Sequence, residues 1–220
     1  MPTTTVVTVC LPKDTPTSKL ATAAAAALAA TLRTPAGPVG HFTIGTRWHR
    51  NELLQPWQDT AAGGPILRLH LAAMHIAARN TYWYRWLIWH RVVDGTRPAQ
   101  PYWMFLDRHK ADPAKYPLSK AQQQYRAQAR IAAMLTYNAL PNKIIVLPTS
   151  HLEAFQAGAH AYAHLGLLSA VPGDGMITLD GRYLAATSDR LTDRLSYLDA
   201  AQQHLGTLSP RDRLVALATR

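Results

Sequence analysis

Ten histidines stand in a chain of 220 residues, and histidine is the side chain best suited to proton transfer near neutral pH. His160 and His164 are spaced i, i+4, which puts both imidazoles on one face of a helix that His151 begins. Such a pair can hold zinc or another divalent ion when a third ligand arrives from elsewhere. Residue 161 is alanine, so the stretch is not HExxH, and Glu153 lies on a different turn. Surface or half-buried structural histidines account for the pair without a metal, and no metal is assigned; His160 and His164 are its only candidates. His70 and His75 do not share a face, and His41 and His49 bracket Thr43–Trp48. The chain holds no GxSxG, no Walker loop and no GxGxxG. Thirteen carboxylates form no DxD or ExxE cluster, which argues against a metal-dependent nuclease. No catalytic residue and no cofactor are assigned, and the balance tilts away from an enzyme.

Arginine and tryptophan offer a different chemistry. The formal net charge is +10. Between Arg79 and Arg130, ten Lys/Arg face three acids, and ten of the eighteen aromatic residues fall in the same stretch. Arginines neutralise phosphates and aromatic faces stack bases, so this segment has what a nucleic-acid surface needs. Arg79, Arg85, Arg91, Arg97, Lys110, Arg126 and Arg130 are the candidate contacts to nucleic acid or another polyanion. Trp103 and Tyr116 are the candidate stacking partners. Trp83, Trp86 and Trp89, spaced by three, fit core packing in a helical seam, with Arg79, Arg85 and Arg91 as a basic ridge facing elsewhere. A solvated charged face and an interfacial amphipathic helix are the competing readings of that ridge. A protein-docking module using the Trp-rich helix is the alternative function, and a histidine-dependent nuclease or small transferase is another.

These residues need elements to hold them. Residues 4–11 alternate and are β-branched, so they read as a strand, and Cys10 reads as a buried strand thiol. With a single cysteine, no internal disulfide and no cysteine zinc cluster can form, which fits a reducing compartment. A helix is expected over 18–33, a turn over 35–38, and a strand over 41–48 that runs into a loop. Residues 56–65 read as a linker. A helix over 66–93 closes at Asp94-Gly95. A short strand is expected over 101–106 and a helix over 120–139. Lys143–Leu147 reads as a strand between two prolines. A helix over 151–165, a hairpin turning at Asp180-Gly181, a helix over 190–205 and a strand over 214–219 complete the chain. The fold class is α+β, one mixed or antiparallel sheet covered by helices in the order β-α-β … β-α-β-β-α-β. Residues 1–55 and 141–220 form its core, and 56–140 form a basic, aromatic-rich helical insertion. No segment has a membrane-spanning character, so the expectation is a cytoplasmic protein that stays off membranes.

Phe42-Thr43-Ile44-Gly45-Thr46-Arg47-Trp48 resembles an aromatic-x-Ile-Gly-Gly-Arg-Trp pattern of small actinobacteriophage and actinobacterial mobile-element proteins. Those chains also carry a later Asp-Gly hairpin and a final short strand. Asp180-Gly181-Arg182-Tyr183 and Leu214-Val215-Ala216-Leu217 sit in comparable places. Thr46 replaces the second glycine. The resemblance implies a phage or mobile-element origin rather than a reaction. Read from the residues themselves, Arg47, Trp48 and His49 would project from a bend at Gly45 as an anion site, or Arg47 would stack on Trp48 at a sheet edge.

Overall fold

The computed structural model describes residues 5–31, 33–45 and 48–219. In chain order the elements are β1 (Thr5–Leu11), α1 (Leu20–Ala29), β2 (Pro35–Pro38), β3 (Phe42–Thr43), β4 (Thr60–Ala61), β5 (Gly63–Pro65) and α2 (Leu71–Val92). Then come α3 (Tyr102–Ala111), α4 (Leu118–Ala127), α5 (Ala129–Ala139), α6 (Leu152–Gln156) and α7 (Ala159–Ser169). The chain ends with β6 (Gly175–Ile177), β7 (Tyr183–Ala185), α8 (Leu191–Thr207) and β8 (Arg213–Thr219). The class is α+β. The chain divides into two compact units: 1–78 with 167–187 and 194–220, and 79–166 with 188–193.

The first unit is built on a mixed sheet ordered β2-β8-β1-β6-β7. β1 pairs with β8 antiparallel along its whole length and with β6 parallel. The other edge of β8 is shared end to end, by β5 at Arg213–Val215 and by β2 at Leu217–Thr219. β1 is buried continuously from Val7 to Leu11, the signature of a strand covered on both faces. On one face Val7, Val9, Leu11, Val215 and Leu217 pack under Leu20, Ala24 and Leu28, which recur every fourth residue of α1. Thr8 and Cys10 point the other way. The Thr8 hydroxyl donates to the Val171 carbonyl at 2.7 Å, and the Tyr197 hydroxyl of α8 donates to the neighbouring Gly173 carbonyl at 3.2 Å. Burial pushes the Cys10 thiol up to about 12, so it is inert at neutral pH.

Several expected elements take another form. Residues 35–38 are an edge strand, not a turn, and the expected linker over 56–65 contributes β4 and the sheet strand β5. The strand expected over 41–48 is cut to β3, which pairs with β4, and Thr46 and Arg47 lie outside the described residues. The hairpin at Asp180-Gly181 forms as its turn residues predict.

In the second unit, 101–106 is not a strand. Pro101 precedes the first turn of α3, and Tyr102 and Phe105 pack on Tyr125 of α4 at 5.0 and 5.9 Å between ring centroids. The helix expected over 120–139 breaks at Gln128, which is extended (ψ 129°). Its side chain there bonds the Gln100 backbone twice, accepting from N–H at 2.7 Å and donating to C=O at 3.0 Å. The helix expected over 151–165 breaks at Gly158, whose φ of 104° suits glycine. Lys143–Leu147 is not a strand, and Ile144 is 72% exposed. Asn138 takes the place of a strand partner: its amide donates to Leu147 C=O and accepts from Leu147 N–H, both at 2.8 Å.

Two outcomes follow. Leu28→Ala leaves a cavity under the sheet and is expected to cost about 2–5 kcal/mol in urea denaturation. His41 lies edge-on to Phe42, with Nε2 3.2 Å from the Val171 carbonyl, and desolvation lowers its pKa below the ordinary 6.5. The unfolded chain therefore binds this proton more readily. Stability contributed by neutral His41 is expected to fall as pH drops below about 6.5, down to the lowered folded value. His41→Gln should flatten that part of the urea-midpoint profile.

Candidate functional site

The site lies within the second unit. Tyr82, Trp86 and Trp89 recur at helical spacing and turn one stripe of α2 toward α6 and α7. The rings then form a ladder. Trp89 stacks on Phe155 at 5.0 Å with an interplanar angle of 6°, Phe155 on Tyr162 at 4.2 Å, and Tyr162 meets Tyr82 at 4.8 Å. Tyr82 fits because residue 166 is glycine: a Cβ there would stand 2.4 Å from Tyr82 Cγ. The Trp86 indole donates to the Phe155 carbonyl at 2.9 Å. The Tyr162 hydroxyl lies 2.9 Å from His151 Nδ1. Core packing therefore holds for Trp86 and Trp89, the latter 4% exposed, and not for Trp83, which stands 37% exposed at the rim and meets His160 edge-on at 5.0 Å.

Beside this ladder sits Arg130. Its Nε donates to Thr96 Oγ1 at 3.1 Å, Nη2 to the Thr96 carbonyl at 2.7 Å and Nη1 to Gln156 Oε1 at 2.9 Å. Its guanidinium carbon stands 5.5 Å from the centre of the Trp89 ring. Gln156 also clasps the Ala99 backbone, accepting from N–H at 2.8 Å and donating to C=O at 3.0 Å. Thr96 and Ala99 thus hold the loop after α2 against α5 and α6. Among the described residues no carboxylate lies within ion-pair distance of Arg130, and burial lowers its pKa from the usual arginine value. A cavity of about 340 Å³ opens here, lined by Trp86, Trp89, His90, Thr96, Arg130 and Gln156 among others. His90 stacks on Trp86 at 4.8 Å, and the buried Trp89 indole N–H has no acceptor.

The other candidate residues are dispersed. Arg79, Arg91, Arg97 and Arg126 are exposed, with no acid among the described residues in ion-pair range. Lys110 is exposed, 3.9 Å from Asp107. Arg85 does not belong to an open ridge: it is half-buried, 5.0 Å above the Tyr82 ring, with Nη1 3.5 Å from the Tyr162 hydroxyl. Trp103 lines a smaller cavity of about 100 Å³. Its indole donates to Glu153 at 2.9 Å, and Arg190, itself paired with Asp107 at 2.7 Å, covers its ring at 4.5 Å. Tyr116 is half-buried, donates to Gln124 at 2.6 Å and has Lys120 5.6 Å over its ring.

In the first unit Arg47 lies outside the described residues, Trp48 is 79% exposed, and His49 adopts a left-handed φ of 60° with Nδ1 3.4 Å from Glu52. His160 and His164 are exposed, and among the described residues no group of three or more His, Cys, Asp or Glu is placed to hold a metal ion. Sequence reasoning missed Thr96 and Gln156 as partners of Arg130; the Asp94-Gly95 stop marks the loop but not where it docks. Comparison with family models, with curated proteins and with solved structures finds no match.

Gly166→Ala forces the added methyl into the Tyr82 ring and is expected to lower stability by about 1–3 kcal/mol, read from thermal denaturation. Arg85→Glu puts a carboxylate against the Tyr82 and Tyr162 rings. It is expected to lower the melting temperature, which a change on a solvated ridge would leave unmoved.

Proposed function

We propose that the second unit binds nucleic acid or another polyanion, and that the protein acts as an accessory factor in a phage or mobile-element setting. The observation that carries this reading is uncompensated positive charge. The unit holds twelve Lys/Arg against six Asp/Glu. Among the described residues, only Lys110, Lys115 and Arg190 of these cations stand within ion-pair distance of an acid. Arg79, Arg91, Arg97, Arg108, Lys120 and Arg126 are exposed and unneutralised. Phosphates would complement them, with release of counterions. A stacking role for Trp89 is not part of the proposal, because its ring is covered in the ladder. The phage setting rests on the Phe42–Trp48 resemblance, and a cytoplasmic location goes with it. No helix among the described residues is long and apolar enough to cross a membrane.

A second reading, a protein-docking module, draws support from Trp48 and Trp57 of the first unit, 79% and 74% exposed, rather than from the Trp-rich helix. Self-association or capture of a defined partner that Trp57→Ser abolishes is its expected signature.

The test of the first reading is fluorescence anisotropy with an oligothymidylate in stepped salt. The logarithm of the binding constant is expected to fall linearly with log salt, by about 0.7 per phosphate contacted. Arg91→Glu with Arg126→Glu should weaken binding about tenfold or more and reduce the slope. Tight binding that ignores salt, or no binding at about 50 mM salt, contradicts the proposal.

A further inference from the structure

We infer that the cavity between Trp86 and Arg130 is a subsite for one nucleotide, taking its phosphate monoester on Arg130 and its base against His90 and Trp86. The inference rests on the nucleic-acid reading of the second unit and deepens it.

Donor counting comes first. A guanidinium carries five N–H groups. Arg130 spends three, on Thr96 Oγ1, the Thr96 carbonyl and Gln156 Oε1. One N–H remains on each terminal nitrogen to donate to an oxyanion. Among the described residues no carboxylate stands within ion-pair distance of that charge, so an arriving phosphate meets a cation that is already oriented. The lining carries a further unmet donor, the Trp89 indole N–H, on a residue 4% exposed. Arg126, four residues earlier on α4, is exposed and has no such setting.

The remaining lining selects a flat ligand. His90 is exposed and stacked on Trp86 at 4.8 Å, which offers a π-surface at the mouth. Trp89 itself is covered by Phe155 and Arg130, so it forms a wall and not a platform. Asp94 also lines the cavity, its Oδ1 accepting from the Gly95 N–H at 3.0 Å. That carboxylate can accept from an exocyclic amino group and opposes a second phosphate. A volume of about 340 Å³ lies at the small end of the ~300–1,000 Å³ of ligand pockets and suits a single nucleotide. The monoester has two sources, a free nucleotide or the terminal phosphate of a strand.

The experiment titrates the whole protein with adenosine 5′-monophosphate, adenosine and inorganic phosphate, following tryptophan fluorescence. Saturable quenching by the monophosphate is expected, with adenosine and phosphate each weaker by about tenfold or more. Arg130→Gln should lose about tenfold in affinity. Because that change also loosens the loop at Thr96, His90→Ala provides the second variant: it is expected to weaken the monophosphate with an unchanged melting temperature. An oligothymidylate with a 5′-phosphate that outcompetes its 5′-hydroxyl form assigns the site to strand ends. Equal competition assigns it to free nucleotides. Inorganic phosphate binding as tightly as the monophosphate overturns the nucleotide assignment. No monophosphate binding, with salt-sensitive oligonucleotide binding intact, overturns the subsite and leaves the surface reading standing. Loss of both overturns both.

Discussion

Arg130 keeps a positive charge among Thr96, Gln156 and the Trp89 ring, with no carboxylate of the described residues within ion-pair distance. Desolvating a guanidinium is costly, and three hydrogen bonds plus an aromatic face offset only part of that cost. Each of those partners belongs to a different element: the loop after α2, the end of α6 and the buried stripe of α2. The charge is therefore a constraint that the surrounding segments satisfy together. Gln156, in turn, bonds Ala99, and Gln128, just before Arg130, bonds Gln100. A short run of backbone from Thr96 to Gln100 is fastened by the side chains of Arg130, Gln156 and Gln128 rather than by a strand or helix ladder. The cavity exists because this fastening stands beside, and not on, the aromatic ladder.

The ladder supplies the rigidity. Phe155 lies between Trp89 and Tyr162, and its carbonyl accepts the Trp86 indole, so one short helix anchors rings from α2 and α7. Close-packed aromatic pairs add to the area they bury. The first unit is organised by a different rule. There a central β1, buried on both faces, is paired along its whole length by β8, and small strands extend the sheet. Charge plays little part in that core, and its one thiol is sealed.

The parts of the fold legible in the sequence are those where local pattern and tertiary role agree. Residues 5–11 and 213–219 alternate strand-forming side chains and pair with each other; the Leu20, Ala24 and Leu28 spacing produces α1; Asp180-Gly181 turns a hairpin. Where tertiary partners intervene, pattern fails. Gly63-Gly64-Pro65 has no strand propensity, yet it pairs with β8 because that edge is open to it. Lys143–Leu147 has strand propensity, yet Asn138 meets the backbone of Leu147 and no strand forms. Likewise, composition marked residues 79–130 as basic and aromatic, but could not separate Arg126, which faces solvent, from Arg130, which is held by partners 34 and 26 positions away. Arg85 was indistinguishable from Arg91 for the same reason.

The central claim is that the second unit, and not the first, carries the nucleic-acid surface. Hydrogen–deuterium exchange of the full chain with and without a saturating oligothymidylate tests it most directly. Protection is expected in the 79–130 segment, strongest at the loop 93–100 and around Gln156, with the first-unit strands unchanged. Protection confined to the first unit, for example around Trp48 and Trp57, would contradict the account.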